Sequence, residues 1–196
     1  MTNYKNILCP ALLLLTTIPA AIFAQSVTVL STGTEARACA LAAETAASLQ
    51  MASREDADVC TRALDIGNLT ARDKAATYTN RGIVLLTVER NADAFSDYNR
   101  ALNLLPDLAE AYVGRGNVYF VQGAFDLAIA DYNKALELQI KRNHIPLFNL
   151  GMAQEKLGNL AAAEQSYRQA LTAMPQWNLA EEKLELVQEK QQGTTQ

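Results

Sequence analysis

Residues 97–104 read DYNRALNL, and 34 positions later residues 131–138 read DYNKALEL. The pair Arg81-Gly82 returns as Arg115-Gly116 at the same interval, Tyr78 as Tyr112, Ala94 as Ala128 and Ala101 as Ala135. Separate segments that agree on one period mark a chain made of one small unit used in series. Such a unit cannot bury its apolar face alone and has to stack on copies of itself. The unit is helical by composition, because Ala and Leu are abundant while Gly and Pro number only nine and five among 196 residues. Ala and Leu lose little side-chain entropy in a helix, whereas Gly and Pro disfavour its interior.

Particular positions say how the helices meet. Gly82, Gly116 and Gly151 fall inside helical patterns, where glycine costs about 1 kcal/mol against alanine. That cost points to close helix–helix approach, with Ala94, Ala128 and Ala163 as the opposing small surface. Asn91, Gly123 and Gly158 mark turns that need left-handed backbone. Pro106 and Pro175 end second helices, since proline offers no backbone donor to the turn before it. A period of 34 with large Tyr78, Tyr112 and Leu147, small Gly82, Gly116 and Gly151, and Tyr98, Tyr132 and Tyr167 followed by Ala101, Ala135 and Ala170 resembles the tetratricopeptide repeat. In particular it resembles the short exported bacterial proteins built from it. The resemblance covers residues 75–177 as three copies, 75–108, 109–143 and 144–177. The second copy departs from the pattern at Ile140, where proline is usual, and the third follows a one-residue insertion. The fold implied is all-α, a right-handed superhelical solenoid of antiparallel helix pairs.

Either side of the repeats the pattern weakens. Residues 35–66 read as a degenerate first hairpin carrying Cys39 and Cys60, and 178–191 as an amphipathic capping helix with Leu179, Leu184 and Val187. Solenoid ends need such caps. Residues 25–34 and 192–196 read as a flexible N-terminus and a disordered tail. Residues 1–24 have the layout of a secretory signal peptide: Lys5, an uncharged apolar run from Ile7 to Phe23, and cleavage after Ala24. The expectation is export, to the periplasm or beyond. An uncleaved inner-membrane anchor is the alternative, and membrane contact is expected only in that case. In an oxidising compartment the remaining cysteine pair, Cys39 and Cys60, suggests a disulfide; two buried thiols are the other reading.

One charge pattern changes in concert. Arg81 and Arg115 sit at an inward position, Asp97 and Asp131 recur opposite, and in the third copy both change together, to Leu150 and Ser166. This suggests the pairs Arg81–Asp97 and Arg115–Asp131, because a buried arginine without its counter-ion is very costly; independent drift of solvent-facing residues is the other reading.

Catalysis and nucleic acid find no support in the chain. Net charge is −4 with pI near 5.1, against the basic footprint that nucleic-acid binding requires. The single histidine, His144, and two separated cysteines make no metal cluster. Neither a GxSxG, an HExxH nor a phosphate loop occurs. No enzyme activity, catalytic residue, cofactor or metal is expected.

The resemblance implies instead a binding groove on the first helices. Thr79, Ile83, Leu86, Val113, Asn117, Phe120, Phe148 and Met152 are the expected partner-binding residues, one helical face repeated three times. An exposed apolar strip of this kind marks a partner site, unless curvature or the last helix covers it. Members that clamp a carboxylate tail do so with Lys, Asn and Arg. Here those positions hold Thr79, Ile83, Gly114, Ile145 and Asn149, which points away from a carboxylate and toward an extended or helical apolar segment of a protein or peptide. The function expected is a non-catalytic interaction module, a periplasmic scaffold or adaptor.

Overall fold

The computed structural model describes residues 34–66 and 68–193; the signal-peptide segment, residues 25–33, Gly67 and 194–196 lie outside the described residues. The described chain is helical throughout. In order it forms α1 (Thr34–Leu49), α2 (Arg54–Ile66), α3 (Ala71–Thr87), α4 (Asn91–Leu104), α5 (Ala109–Val121), α6 (Phe125–Glu137), α7 (His144–Lys156), α8 (Leu160–Ala173) and α9 (Asn178–Gly193). α1, α3, α5 and α7 each pack on the even-numbered helix that follows as an antiparallel pair, and successive pairs stack. The architecture is therefore a solenoid of helix pairs, closed at its C-terminal end by the single helix α9.

Local chemistry sets the helix starts. Before α2, the Ser53 backbone N–H and hydroxyl donate to Asp56 Oδ2 at 2.8 and 2.9 Å, and the Asp56 N–H donates back to Ser53 Oγ at 3.2 Å. This reciprocal capping box satisfies donors that a helix N-terminus leaves open. At α3 the Thr70 hydroxyl donates to Asp73 Oδ2 and accepts from the Asp73 N–H, so that helix begins at Ala71, ahead of the repeat boundary set at Ala75. α9 continues through Gly193, past the expected end at 191.

The glycines have a different partner from the one expected. Ala94, Ala128 and Ala163 are fully buried, but what faces Gly82, Gly116 and Gly151 is a tyrosine ring. A Cβ on these residues would stand 2.8 Å from Tyr98, 2.7 Å from Tyr132 and 2.7 Å from Tyr167 respectively. Each ring takes the space a Cβ would need, which is why the period pairs a glycine with a tyrosine. Those rings are the largest fully buried side chains of the fold, and burial pushes all three phenol groups well above their usual range.

One turn also departs from expectation. Gly123 and Gly158 adopt φ +77° and +79°, but in the first complete repeat the left-handed residue is Glu89 (φ 61°). Asn91 is already inside α4. Glu89, Gly123 and Gly158 occupy equivalent places, so one copy carries a strained residue where two carry glycine.

The first hairpin sits tighter than the rest. α1 packs on α3 more extensively than α3 packs on α5, because Ala43, Ala46 and Ala47 give it a small buried face. Cys39 and Cys60 are fully buried and disulfide-bonded across α1 and α2, with Cα atoms 4.6 Å apart.

Candidate functional site

Helices α3, α5 and α7 bring the expected groove residues onto successive inner helices, but not as an open strip. Thr79, Ile83, Leu86, Val113, Asn117, Phe148 and Met152 are all buried, and Phe120 is half-buried. This corrects the expectation of solvent exposure. The cause is the tightness of the stack. Ile83 and Leu86 share one buried cluster with Ala43, Ala46 and Ala47 of α1 and with Phe148 and Met152 of α7. Val113 joins a second cluster with Tyr132, Leu150 and Ala153. Ahead of α9, Trp177 lies over Phe148 with ring centroids 4.8 Å apart, and His144 meets the same indole edge-on at 5.4 Å. The lone histidine is thus part of an aromatic latch; burial, with the Arg142 charge, pushes its pKa down.

Phe120 is the member of the set that keeps accessible surface. Its ring meets Phe125 edge-on at 5.3 Å and touches both core clusters. Helices α5, α6 and α7 also share a buried polar network that the sequence analysis does not anticipate. Tyr132 donates its hydroxyl to Asn117 Oδ1 at 3.0 Å, and Asn149 Nδ2 donates to the same oxygen at 2.9 Å. Asn149 is fully buried, and its Oδ1 accepts no hydrogen bond among the described residues. A buried carboxamide oxygen left open is an acceptor awaiting a donor. Its sequence signal was the asparagine at an otherwise apolar position, read only as the absence of a cation.

The charged pairs form as the concerted change predicts. Arg81 donates Nε to Asp97 Oδ2 at 2.6 Å and Nη2 to Oδ1 at 2.8 Å; Arg115 holds Asp131 with the same fork at 2.8 and 2.8 Å. Asp97 is only 2% exposed. The third guanidinium nitrogen reaches backward to the preceding hairpin, Arg81 Nη1 to Thr61 Oγ1 at 3.0 Å and Arg115 Nη1 to Asn99 Oδ1 at 2.9 Å. Each arginine therefore ties three consecutive helices, and Tyr78 and Tyr112 support the guanidinium planes at 5.6 and 5.4 Å. In the third copy Leu150 is buried, and Ser166 donates instead to Gln154 Oε1 at 2.7 Å.

α9 packs through Ala180 and Val187 and gathers its charged contacts largely on one carboxylate. Glu155 accepts from Lys190 at 2.5 Å and from the Tyr167 hydroxyl at 3.0 Å, with Lys183 at 3.6 Å. Burial alone would raise its pKa, but these donors together hold it below the usual carboxylate value. Among the described residues no group of His, Cys, Asp and Glu could hold a metal, and no helix is long and apolar enough to cross a membrane.

Comparison with known proteins agrees with this geometry. The tetratricopeptide repeat family matches residues 107–176. A search of curated proteins finds no match. Among solved structures, the chain is similar to the tetratricopeptide domain of Arabidopsis OM64 (21% identity, TM-score 0.59, 62% of this chain and 99% of that one). It is equally similar to the first such domain of Spaghetti (RPAP3) bound to the HSP90 peptide SRMEEVD (21%, TM-score 0.59, 63% and 98%). It also resembles YrrB, a tetratricopeptide protein with an unusual peptide-binding site (26%, TM-score 0.59, 67% and 65%). Residues 107–176 thus match the tetratricopeptide repeat model, within an all-helical solenoid of helix pairs similar in fold to those structures.

Proposed function

We propose that this protein is a non-catalytic, exported interaction module that takes up a segment of a partner protein against its inner helices. The observation that carries the reading is the inner face itself: the half-buried aromatic Phe120, with the open acceptor of Asn149 behind the Asn117 it bonds. Holding an apolar peptide in one direction takes an apolar anchor and a polar group for its backbone N–H, roles for which the inner helices offer Phe120 and the Asn149 carboxamide. The match to tetratricopeptide repeats and the likeness to YrrB, whose peptide-binding site is called unusual, support a peptide as ligand. Thr79, Ile83, Gly114, Ile145 and Asn149 supply no cation, so a C-terminal carboxylate is not the recognised group. For export, the support is the layout of residues 1–24 and the Cys39–Cys60 bond. The role would be that of a periplasmic scaffold or adaptor.

Capture from a cell-envelope extract tests the site. Phe120→Glu and Thr87→Arg alter half-buried positions on two inner helices. Both should lose the partner that the wild type retains, with helical content intact. Because Phe120 touches the core, its change should also cost about 1–2 kcal/mol; Thr87→Arg gives the cleaner comparison. Retention of the partner by both variants would remove the inner face as the site. The intact mass of the purified protein decides between removal of residues 1–24 and a tethered scaffold.

A further inference from the structure

The repeats are unequal at one interface. Between α2, α3 and α4 lies a cavity of about 170 Å³, away from the inner face. One repeat later the same interface is filled, since Phe95 and Tyr119 pack edge-on at 5.4 Å. Their counterparts beside the cavity are Ala57 and Leu85. Two large-to-small differences have thus opened a hole that the fold knows how to close.

The opened hole is also charged. Its floor is the neutral Arg81–Asp97 fork. The α4 side adds Arg100, whose contact to Asp97 is a long 3.5 Å, and Arg90 with its neighbour Asp93. The α2 side adds Asp58, which has no ion pair among the described residues. In the second repeat, Ser96, Ala130, Leu127 and Ala124 occupy the places of Asp58, Ser96, Asp93 and Arg90. The place of Arg100 keeps a cation in the second repeat, Lys134, but there it is paired with Glu137 at 3.0 Å; the cavity, the carboxylates Asp58 and Asp93 and the Arg90 cation arrive together only in the first copy. A packing defect alone would leave an apolar hole, and a solvated charged face alone would need no hole.

We propose that this cavity binds a small zwitterion, a free α-amino acid with a short side chain. Arg100 would take the carboxylate, as guanidinium groups do, Asp58 the ammonium, and Ala57 with Leu85 the side chain. The volume admits one such molecule and falls below the ~300 Å³ typical of larger ligands. The neutral floor and the opposed walls disfavour a ligand of single charge.

The test uses L-alanine as the probe, with propionate and ethylammonium as its two halves, followed by amide chemical shifts of the full-length mature protein. L-alanine should give saturable shifts around the α2–α4 cleft at or below about 10 mM, and each half should bind at least ~10-fold more weakly. Arg100→Gln and Asp58→Asn, both at exposed side chains, should each weaken L-alanine by a similar factor. The double change Ala57→Phe with Leu85→Tyr installs the second repeat's filling, and should abolish binding while keeping the helical content. Absence of saturable shifts in the wild type would overturn the proposal. Equal binding by the filled variant, or by propionate alone, would overturn it too.

Discussion

Removing Arg81 and Asp97 one at a time and together measures what the repeat's charged fork contributes. Arg81→Leu leaves the Asp97 carboxylate, 2% exposed, with only Arg100 at 3.5 Å. An uncompensated buried carboxylate should cost about 3 kcal/mol or more. Asp97→Ser leaves Arg81 with Thr61, and since its side chain keeps 14% exposure it can turn partly to water; about 2 kcal/mol is expected. The double change copies the third repeat's Leu150 and Ser166, but not completely. There the serine donates to Gln154, and the counterpart of Gln154 here is Leu85. The new hydroxyl would therefore lack its acceptor, and about 2 kcal/mol should remain lost. The coupling is then about 3 kcal/mol, against ~0.5 kcal/mol for independent sites. Urea titrations of the four proteins give it directly. Losses that add, single plus single, would refute the view that each fork acts as one unit.

Reduction of Cys39–Cys60, which closes a separation of 21 residues, should lower stability by about 3 kcal/mol in the chain-entropy estimate; thiol titration of oxidised protein yielding two free thiols would refute the bond. Glu89→Gly should raise stability by about 1 kcal/mol, because the left-handed backbone there suits glycine as it does at Gly123 and Gly158; a melting temperature that stays or falls would show the strain is already relieved. Acid should release α9 before the rest. The folded pKa of Glu155 is depressed, so its contribution is complete above the usual carboxylate pKa and disappears as pH falls through the lower folded value. His144 is depressed as well, so protonation already opposes the fold once pH drops below about 6.5. Trp177, the single tryptophan, reports both through its fluorescence. Glu155→Gln should erase the lower step at a cost of about 1 kcal/mol, and an unchanged acid profile in that variant would contradict the latch.

The repeat was legible because its signals are local and recur. A glycine and a tyrosine at fixed spacing in three copies need no knowledge of the third dimension to be noticed, only their partnership does. The paired change from Arg81 and Asp97 to Leu150 and Ser166 carried a contact across a hairpin, since a buried charge cannot be altered alone. What stayed hidden depends on how closely neighbouring units sit. Nothing in the text of the chain states that Ala43, Ala46 and Ala47 let α1 settle on α3, or that Trp177 folds onto Phe148. These contacts turn an apolar face into a seam, and apolar faces look the same in sequence whether they meet water or a helix.

That ambiguity bears on where a ligand could enter. An apolar side chain at the inner face is uninformative, because burial among helices explains it fully. A polar atom there is informative, because burial alone penalises it. Asn149 is held by one bond to Asn117 while its oxygen accepts nothing among the described residues. If that oxygen serves a partner's N–H, Asn149→Leu should weaken partner capture while leaving stability within about 1 kcal/mol, since the fold gives up one net hydrogen bond and loses an open acceptor at once. If the asparagine serves only the core, the same change should take the second donor from Asn117 Oδ1 while Tyr132 keeps its bond, lower the melting temperature, and leave capture by the folded fraction as it was. The two outcomes part cleanly when capture and melting are measured on the same sample.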